Sequence, residues 1–306
     1  MSVYLWQLNI LQLGDKSLVN GTILRGRTKL RSSARTIAGN FFQVMRSYFH
    51  GTYADKDIVF RMGSFKKELL TTGKGHFSFM ADAAPEEDVE LIAGGKKLEI
   101  PGHYPAIFRQ NGTKLEIISD LDDTVMISHT ASALKRITTI LFYRPKKRKS
   151  VAYTHELFRD FQKRSYRITY LSKSESNLFG LITAVLNFRE LPQGALLLTP
   201  FLKFRQLFDP KKGKDYKLNY LRRIISNTPD KKFILLGDDT QRDMDVYTQA
   251  VQEFPGRIRK IFIRQTGLIR KPAQEEKWNR LLATGVEAVY FQDTDEPGEE
   301  TTEKST

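Results

Sequence analysis

Apolar residues run along this chain in two rhythms. Up to about residue 110 they form short extended runs: GTILRGR at 21–27, DIVFRM at 57–62, KELLTT at 67–72, HFSFM at 76–80, VELIAG at 89–94 and KKLEI at 96–100. Turn residues separate them, among them Gly73, Gly75, Pro85, Gly94 and Gly95, at the spacing of a small antiparallel β-sandwich. One helical stretch, roughly 33–49, interrupts the series. From about residue 114 continuous apolar runs alternate with amphipathic segments. The runs are LEIIS (115–119), RITYLS (167–172), ALLLT (195–199), KKFILLG (231–237), IRKIFIR (258–264) and VEAVYF (286–291). Helical patterns lie between them near 152–164, 175–189, 216–227, 242–253 and 274–284. Strands that are apolar throughout are buried on both faces, and their alternation with helices predicts an α/β fold with a doubly wound parallel sheet. The two rhythms predict a β-rich domain over 1–110 and an α/β domain over 111–291.

In a doubly wound sheet, ligands sit beyond the carboxyl ends of the strands, where the strand order reverses. Four polar clusters stand at such places. The first, Asp120-Leu121-Asp122-Asp123-Thr124, follows LEIIS and sets three carboxylates within four residues. Crowded carboxylates make one another costlier to ionise, so a cation or a shared proton is expected beside them. One carboxylate can attack phosphorus directly, and a second two residues on can protonate the leaving oxygen and later activate water. Mg2+ would relieve the repulsion between such a carboxylate and a dianionic phosphate. A calcium loop needs Gly at the sixth position and Glu at the twelfth, where this chain has Val125 and Ala131. A plain cap on a helix beginning near Thr124 is the structural alternative.

The second cluster is Ser172, at the end of RITYLS, whose hydroxyl suits a phosphoryl oxygen or an ordinary helix cap. Ser174 and Ser176 are better placed as caps, and Asn177 fits either role. The third is Lys217, which opens an amphipathic helix. Its ammonium can neutralise a nucleophile and a bound phosphoryl group, with Lys211, Lys212 and Lys214 as competitors and a solvated lysine as the simpler reading. The fourth is Gly237-Asp238-Asp239-Thr240-Gln241-Arg242-Asp243, which offers hard oxygen ligands to a Mg2+ held by Asp120, or acids to the first turn of a helix. All four fall on one edge of one sheet, which favours carboxylates gathered around magnesium and a phosphoryl group.

Composition narrows the rest. The 306 residues include no cysteine, which excludes disulfides, thiolate metal sites and cysteine nucleophiles. The first 21 residues have no basic start, and Gln7, Asn9, Gln12 and Asp15 interrupt their apolar run, so they read as neither a signal peptide nor a membrane span. A cytoplasmic protein is expected. The tail 292–306 holds six acids against Lys304 and is predicted to be disordered; its net −5 leaves +19 on the rest of a chain that totals +14. A body so basic attracts polyanions. Nucleic acid is disfavoured, because Phe41, Phe42, Tyr48 and Phe49 have only Arg46 among them and read as helix core.

The order D-x-D-x-T, Ser/Thr, Lys and acidic Gly-Asp resembles the haloacid dehalogenase (HAD) superfamily of phosphotransferases. The longer strings ISDLDDTV, YLSKSESNLFGLI, SNTPDKKFILLGDD and DTQRDMDVYTQAVQEFPGRIRKIFIRQ resemble the catalytic domain of the actin-patch phosphatidate phosphatase family, over roughly Glu116 to Gln265. The resemblance implies a HAD-like (Rossmannoid) fold and Mg2+-dependent hydrolysis of phosphatidic acid to diacylglycerol. It makes Asp120 the nucleophile, Asp122 the general acid/base, Thr124 a turn-fixing hydroxyl, and Ser172 and Lys217 the phosphoryl binders. Asp120, Asp122 (through its carbonyl), Asp238 and Asp243 would surround the metal. Asp239 is the alternative to Asp243, since both spacings are present. Where the family tends to have Asn-Ser-Pro-Trp, this chain has Lys173-Ser174-Glu175-Ser176, a departure at the substrate entrance that bears on which phosphomonoester is taken.

The run Tyr143-Arg144-Pro145-Lys146-Lys147-Arg148-Lys149 suits peripheral contact with an anionic membrane, or is a solvated loop. A soluble phosphomonoester as substrate, and a polyanion-binding protein without catalysis, are the competing readings.

Overall fold

The computed structural model describes residues 2–26, 46–47, 49–121, 152–200, 216–240 and 242–292. Most of the helix expected over 33–49, the basic run 143–149, Asp122, Thr124 and the tail from Asp293 lie outside them. The chain divides into two compact units. One comprises Met1–Asn111, Ser172–Tyr216 and Ser226–Pro229; the other comprises Gly112–Leu171, Lys217–Ile225 and Asp230–Thr306. Among the described residues no helix is long and apolar enough to cross a membrane.

The first unit begins with nine strands: β1 (Ser2–Leu13), β2 (Lys16–Gly26), β3 (Gly51–Thr52), β4 (Asp57–Met62), β5 (Phe65–Leu70), β6 (His76–Ala81), β7 (Val89–Ala93), β8 (Lys96–Lys97) and β9 (Ile107–Phe108). One sheet runs β3-β2-β1-β9 with β6 also on β2; the other runs β5-β4-β7-β8. Neighbours are antiparallel except β1 and β9, which run parallel. Alternate residues of both sheets fill one core: Leu8, Ile10, Val19, Ile23, Phe77 and Phe79 from the first, and Ile58, Phe60, Met62, Val89 and Leu91 from the second. The run at 96–100 pairs only over Lys96–Lys97.

Sequence pattern misses β1 as a strand. Nearly all of its residues are buried, so no polar face alternates with an apolar one. Its polar residues are satisfied inside the unit. Asn9 donates to Asn20 Oδ1 at 3.2 Å and to the Leu196 carbonyl at 3.0 Å, and it accepts from Leu196 N at 3.2 Å. Gln7 donates to the same carbonyl at 2.9 Å, and Trp6 Nε1 donates to Ser176 O at 2.7 Å.

His76 carries a pH dependence for this unit. Burial pushes its imidazole down from 6.5 to about 4, with Nδ1 3.5 Å from Thr22 Oγ1. The unfolded chain therefore takes up a proton below 6.5 that the fold refuses until about 4. Stability from this group is whole above that window and is lost through it as pH falls. Thermal melts of wild type and His76→Gln between about pH 7.5 and 4 are expected to show wild type losing more on acidification. A difference between the two that does not move with pH would contradict the assignment.

A six-stranded sheet follows, from β10 (Leu115–Asp120), β11 (Arg167–Glu175), β12 (Ala195–Thr199), β13 (Lys232–Asp238), β14 (Ile258–Arg264) and β15 (Glu287–Phe291). The order is β12-β11-β10-β13-β14-β15, with β11 continuing from the second unit into the first. The pairs β10/β11, β10/β13, β13/β14 and β14/β15 are parallel. The helices are α1 (Ala152–Lys163), α2 (Phe179–Phe188, after a 3-10 turn at Ser176–Leu178), α3 (Tyr216–Ser226), α4 (Asp243–Glu253) and α5 (Pro272–Leu282). The chain leaves β10 toward β11 and β12, then returns to β10's other side with β13. The order thus reverses between β10 and β13, where a doubly wound sheet opens a crevice at its carboxyl edge.

Candidate active site

Asp120 is the last residue of β10 and Asp238 the last of β13, so adjacent parallel strands deliver two carboxylates to one edge. Their runs are buried almost throughout, LEIISD and KFILLGD, which holds the strand ends in place. Lys217 is the second residue of α3, whose buried face continues with Leu218, Leu221 and Ile225 at helical spacing. Asp243 opens α4, whose buried face continues with Val246, Tyr247 and Ala250. An acid in a first helical turn is stabilised by the helix dipole.

These four side chains meet, all at 2% exposure or less. Lys217 Nζ lies 2.8 Å from Asp120 Oδ1 and 2.5 Å from Asp243 Oδ1. Asp120, Asp238 and Asp243 each offer a carboxylate oxygen, all within 4.8 Å of one another. Thr240 N and Oγ1 donate to Asp238 Oδ1 at 2.6 and 2.5 Å, and the Asp238 amide donates to Asp243 Oδ2 at 3.4 Å.

Three buried acids against one ammonium make an electrostatically tense group. Burial pushes the Asp120 carboxyl above its ordinary value, Lys217 pulls it back and Asp243 adds to the rise. Asp238 is pushed well up by burial, then by Asp243 and Asp120. Burial alone would lower Lys217, but Asp120 and Asp243 overcome it and hold the ammonium firmly charged.

Asp239 faces other partners. Its Oδ1 accepts from Thr266 N at 3.1 Å and Thr266 Oγ1 at 2.6 Å, and its Oδ2 accepts from Tyr290 OH at 2.9 Å. The acid that joins Asp120 and Asp238 is therefore Asp243. Ser172 belongs to the first unit, one residue past Leu171, the register partner of Asp120. It is fully buried and its Oγ accepts from Ser174 N at 2.9 Å. Asn177, also in that unit, donates to Ser47 Oγ at 3.2 Å. Lys211, Lys212 and Lys214 lie outside the described residues, as do Asp122 and Thr124.

Two residues are given no role by sequence reading. Tyr247 lies under the carboxylates and donates to the Leu236 carbonyl at 2.6 Å; burial and the three acids push its phenol well up. Its spacing of four from Asp243 is the signal that places it on the same helical face. Gly237 is the second. A Cβ there would stand 2.8 Å from Asp243 Cβ, Asp243 Oδ2 and Tyr247 Cε2. Gly237→Ala must therefore displace Asp243 or Tyr247 from this packing while leaving every polar group in the chain. Activity is expected to fall about 100-fold and stability by about 1–3 kcal/mol, checked by turnover and thermal melting. Wild-type turnover would show that this packing does not matter to catalysis.

Residues 115–265 match the model of the phosphatidate phosphatase APP1 catalytic domain. This segment belongs to the APP1-type phosphatidate phosphatase family. All four residues of the buried cluster fall inside the APP1-type segment. Across 48 residues, 16% of this chain, it is 40% identical to phosphatidate phosphatase APP1 of Saccharomyces cerevisiae, covering 8% of that protein. Across 220 residues, 70% of this chain, it is 24% identical to an uncharacterized protein of Schizosaccharomyces pombe, covering 34% of it. The chain thus spans about a third or less of these relatives. A solved carbohydrate acetylesterase from Xanthomonas citri, 8% identical, covers 92% of this chain and 74% of its own at a TM-score of 0.28, and no fold or chemistry is carried over from it.

Proposed function

We propose that this protein is a Mg2+-dependent phosphatase with a HAD-like catalytic domain. It hydrolyses phosphatidic acid to diacylglycerol and phosphate through a phosphorylated Asp120. The observation that carries this reading is the buried Asp120–Lys217–Asp243 contact with Asp238 alongside, at the ends of the two strands where the sheet order reverses. Membership of the APP1-type family supports the reaction class and the lipid substrate.

The donor set fits magnesium. Among the described residues, Asp120, Asp238 and Asp243 supply hard oxygens in excess of the Lys217 ammonium that faces them, and neither Asp120 oxygen accepts a well-aligned hydrogen bond. These three would hold the ion, with Asp122 contributing from outside the described residues. Bound there, Mg2+ offsets the negative charge that a phosphoryl group brings to a carboxylate.

The chain's own groups do the rest. Lys217 offsets part of the cost that burial puts on an ionised Asp120 and sits where it can also meet a phosphoryl oxygen. A carboxylate oxygen of Asp120 attacks phosphorus, the bond from phosphorus to the ester oxygen breaks, and Asp122 gives that oxygen its proton. Water then attacks phosphorus, Asp122 takes the water's proton, and Asp120 is released with inorganic phosphate.

Phosphate release is to be measured from phosphatidic acid vesicles and from p-nitrophenyl phosphate, with Mg2+ or with EDTA. Turnover that requires Mg2+ is expected on both, and the ratio of rates reports whether lipid is preferred over a soluble ester. A wild-type protein that binds Mg2+ and releases no phosphate from either would sink the phosphatase and leave the polyanion-binding reading.

A further inference from the structure

We infer that the loop after β14 is a docking element for an anionic lipid surface. Gln265 to Lys271, QTGLIRK, leaves the carboxyl end of β14 and turns into α5. Its tip exposes Leu268 at 94% and Ile269 at 83%, the two most exposed large apolar side chains among the described residues. Adjacent apolar side chains held in water at a loop tip are the mark of an interaction site.

The loop is built rather than slack. Gln265 Nε2 donates to the carbonyls of Gly267 at 2.9 Å and Leu268 at 3.3 Å, and Arg270 Nε donates back to Gln265 Oε1 at 3.2 Å. The Arg270 guanidinium lies 3.8 Å over the Tyr290 ring. Thr266 is fixed to Asp239 by its amide and hydroxyl, and Gln274 Nε2 donates to the Asp239 carbonyl at 3.1 Å. The carbonyls of Gly267 and Leu268 thus have an internal donor while the apolar side chains of Leu268 and Ile269 project, which suits a segment entering the headgroup boundary.

Charge selects the occupant. Arg270 and an exposed Lys271 follow the apolar pair in a chain of net +14, and basic residues beside an apolar tip suit anionic headgroups. Glu275 is the acid paired with Arg270, at 3.4 Å. Arg264, the last residue of β14, is the register partner of Asp238, and Asp239 anchors the loop, so the loop starts beside the strand end that carries an acid of the cluster. The proposed lipid phosphatase explains why a bilayer is wanted at this edge, and the inference rests on that reading for this point alone.

The test is sedimentation of the full chain with vesicles of phosphatidylcholine, with and without phosphatidylglycerol, which is not the proposed substrate. Wild type is expected to bind the anionic vesicles. The double variant L268S/I269S is expected to bind at least about tenfold more weakly and K271Q about fivefold more weakly, with melting temperatures unchanged. Wild type that ignores anionic vesicles, a double variant that binds as well as wild type, or a self-association that the double variant abolishes would each overturn it. Failure of wild type to hydrolyse p-nitrophenyl phosphate would sink the phosphatase reading instead, while vesicle partition still decides this one.

Discussion

Asp120→Asn is expected to release no phosphate and yet, without metal, to melt above the wild type. The amide keeps the shape of the carboxylate but cannot attack phosphorus as an anion. It also removes one of the three buried acids that meet Lys217 among the described residues, and Lys217 retains Asp243 at 2.5 Å. The sign follows from linkage. Folding raises the Asp120 carboxyl above its unfolded value, mainly through burial, so its contribution is favourable below that value and is lost as pH rises through the folded one. At neutral pH the wild type bears that cost and the variant does not, so their melting temperatures should separate from acid toward neutral pH. Mg2+ should reverse the order, stabilising wild type by about 2.7 kcal/mol at a hundredfold excess over its Kd and the variant much less. A variant that melts below wild type in EDTA at neutral pH would show that the Asp120–Lys217 contact outweighs the repulsion.

The trade between a strained site and a stable fold also explains which parts of the molecule are legible in its sequence. LEIIS and KKFILLG are apolar throughout because their strands are covered on both faces, and β10 and β13 fall within a residue of those runs. A parallel crossover sheet sets successive strand ends on one edge, so the acids after these runs meet without any detail of packing being known. Lys217 follows from the same logic, since it stands in the first turn of a helix that begins at that edge.

Asp239 and Asp243 are different, because spacing alone leaves both open. Consecutive residues at a strand end point to opposite sides, so Asp238 turns to Asp120 while Asp239 turns to Thr266 and Tyr290. The first turn of α4 then brings Asp243 back beneath Asp238, through space that Gly237 leaves open. Neither Gly237 nor Tyr247 has chemistry that marks it in advance; each matters only through what it touches. β1 is illegible for the opposite reason, since burial on both faces erases the alternation by which a sandwich strand is known.

Lys217→Met removes the ammonium that, among the described residues, faces the three acids, and leaves a side chain of similar length. Breaking a buried ion pair from one side strands its partners without compensation, so stability should fall by about 3–5 kcal/mol. The acids can relieve this only by taking up protons. Their folded-state values, already raised for Asp120 and Asp238, should rise further, so the deficit against wild type grows with pH and shrinks toward pH 5. Mg2+ should restore part of the stability, because the oxygen ligands remain. It should not restore turnover, for which a loss of about 100-fold or more is expected once the charge beside Asp120 and the incoming phosphoryl group is gone. Melting curves across pH with Mg2+ or EDTA, and phosphate release under the same conditions, separate the two effects. Rescue of stability and turnover together by Mg2+ would mean that the metal alone supplies the positive charge and that Lys217 serves only the fold.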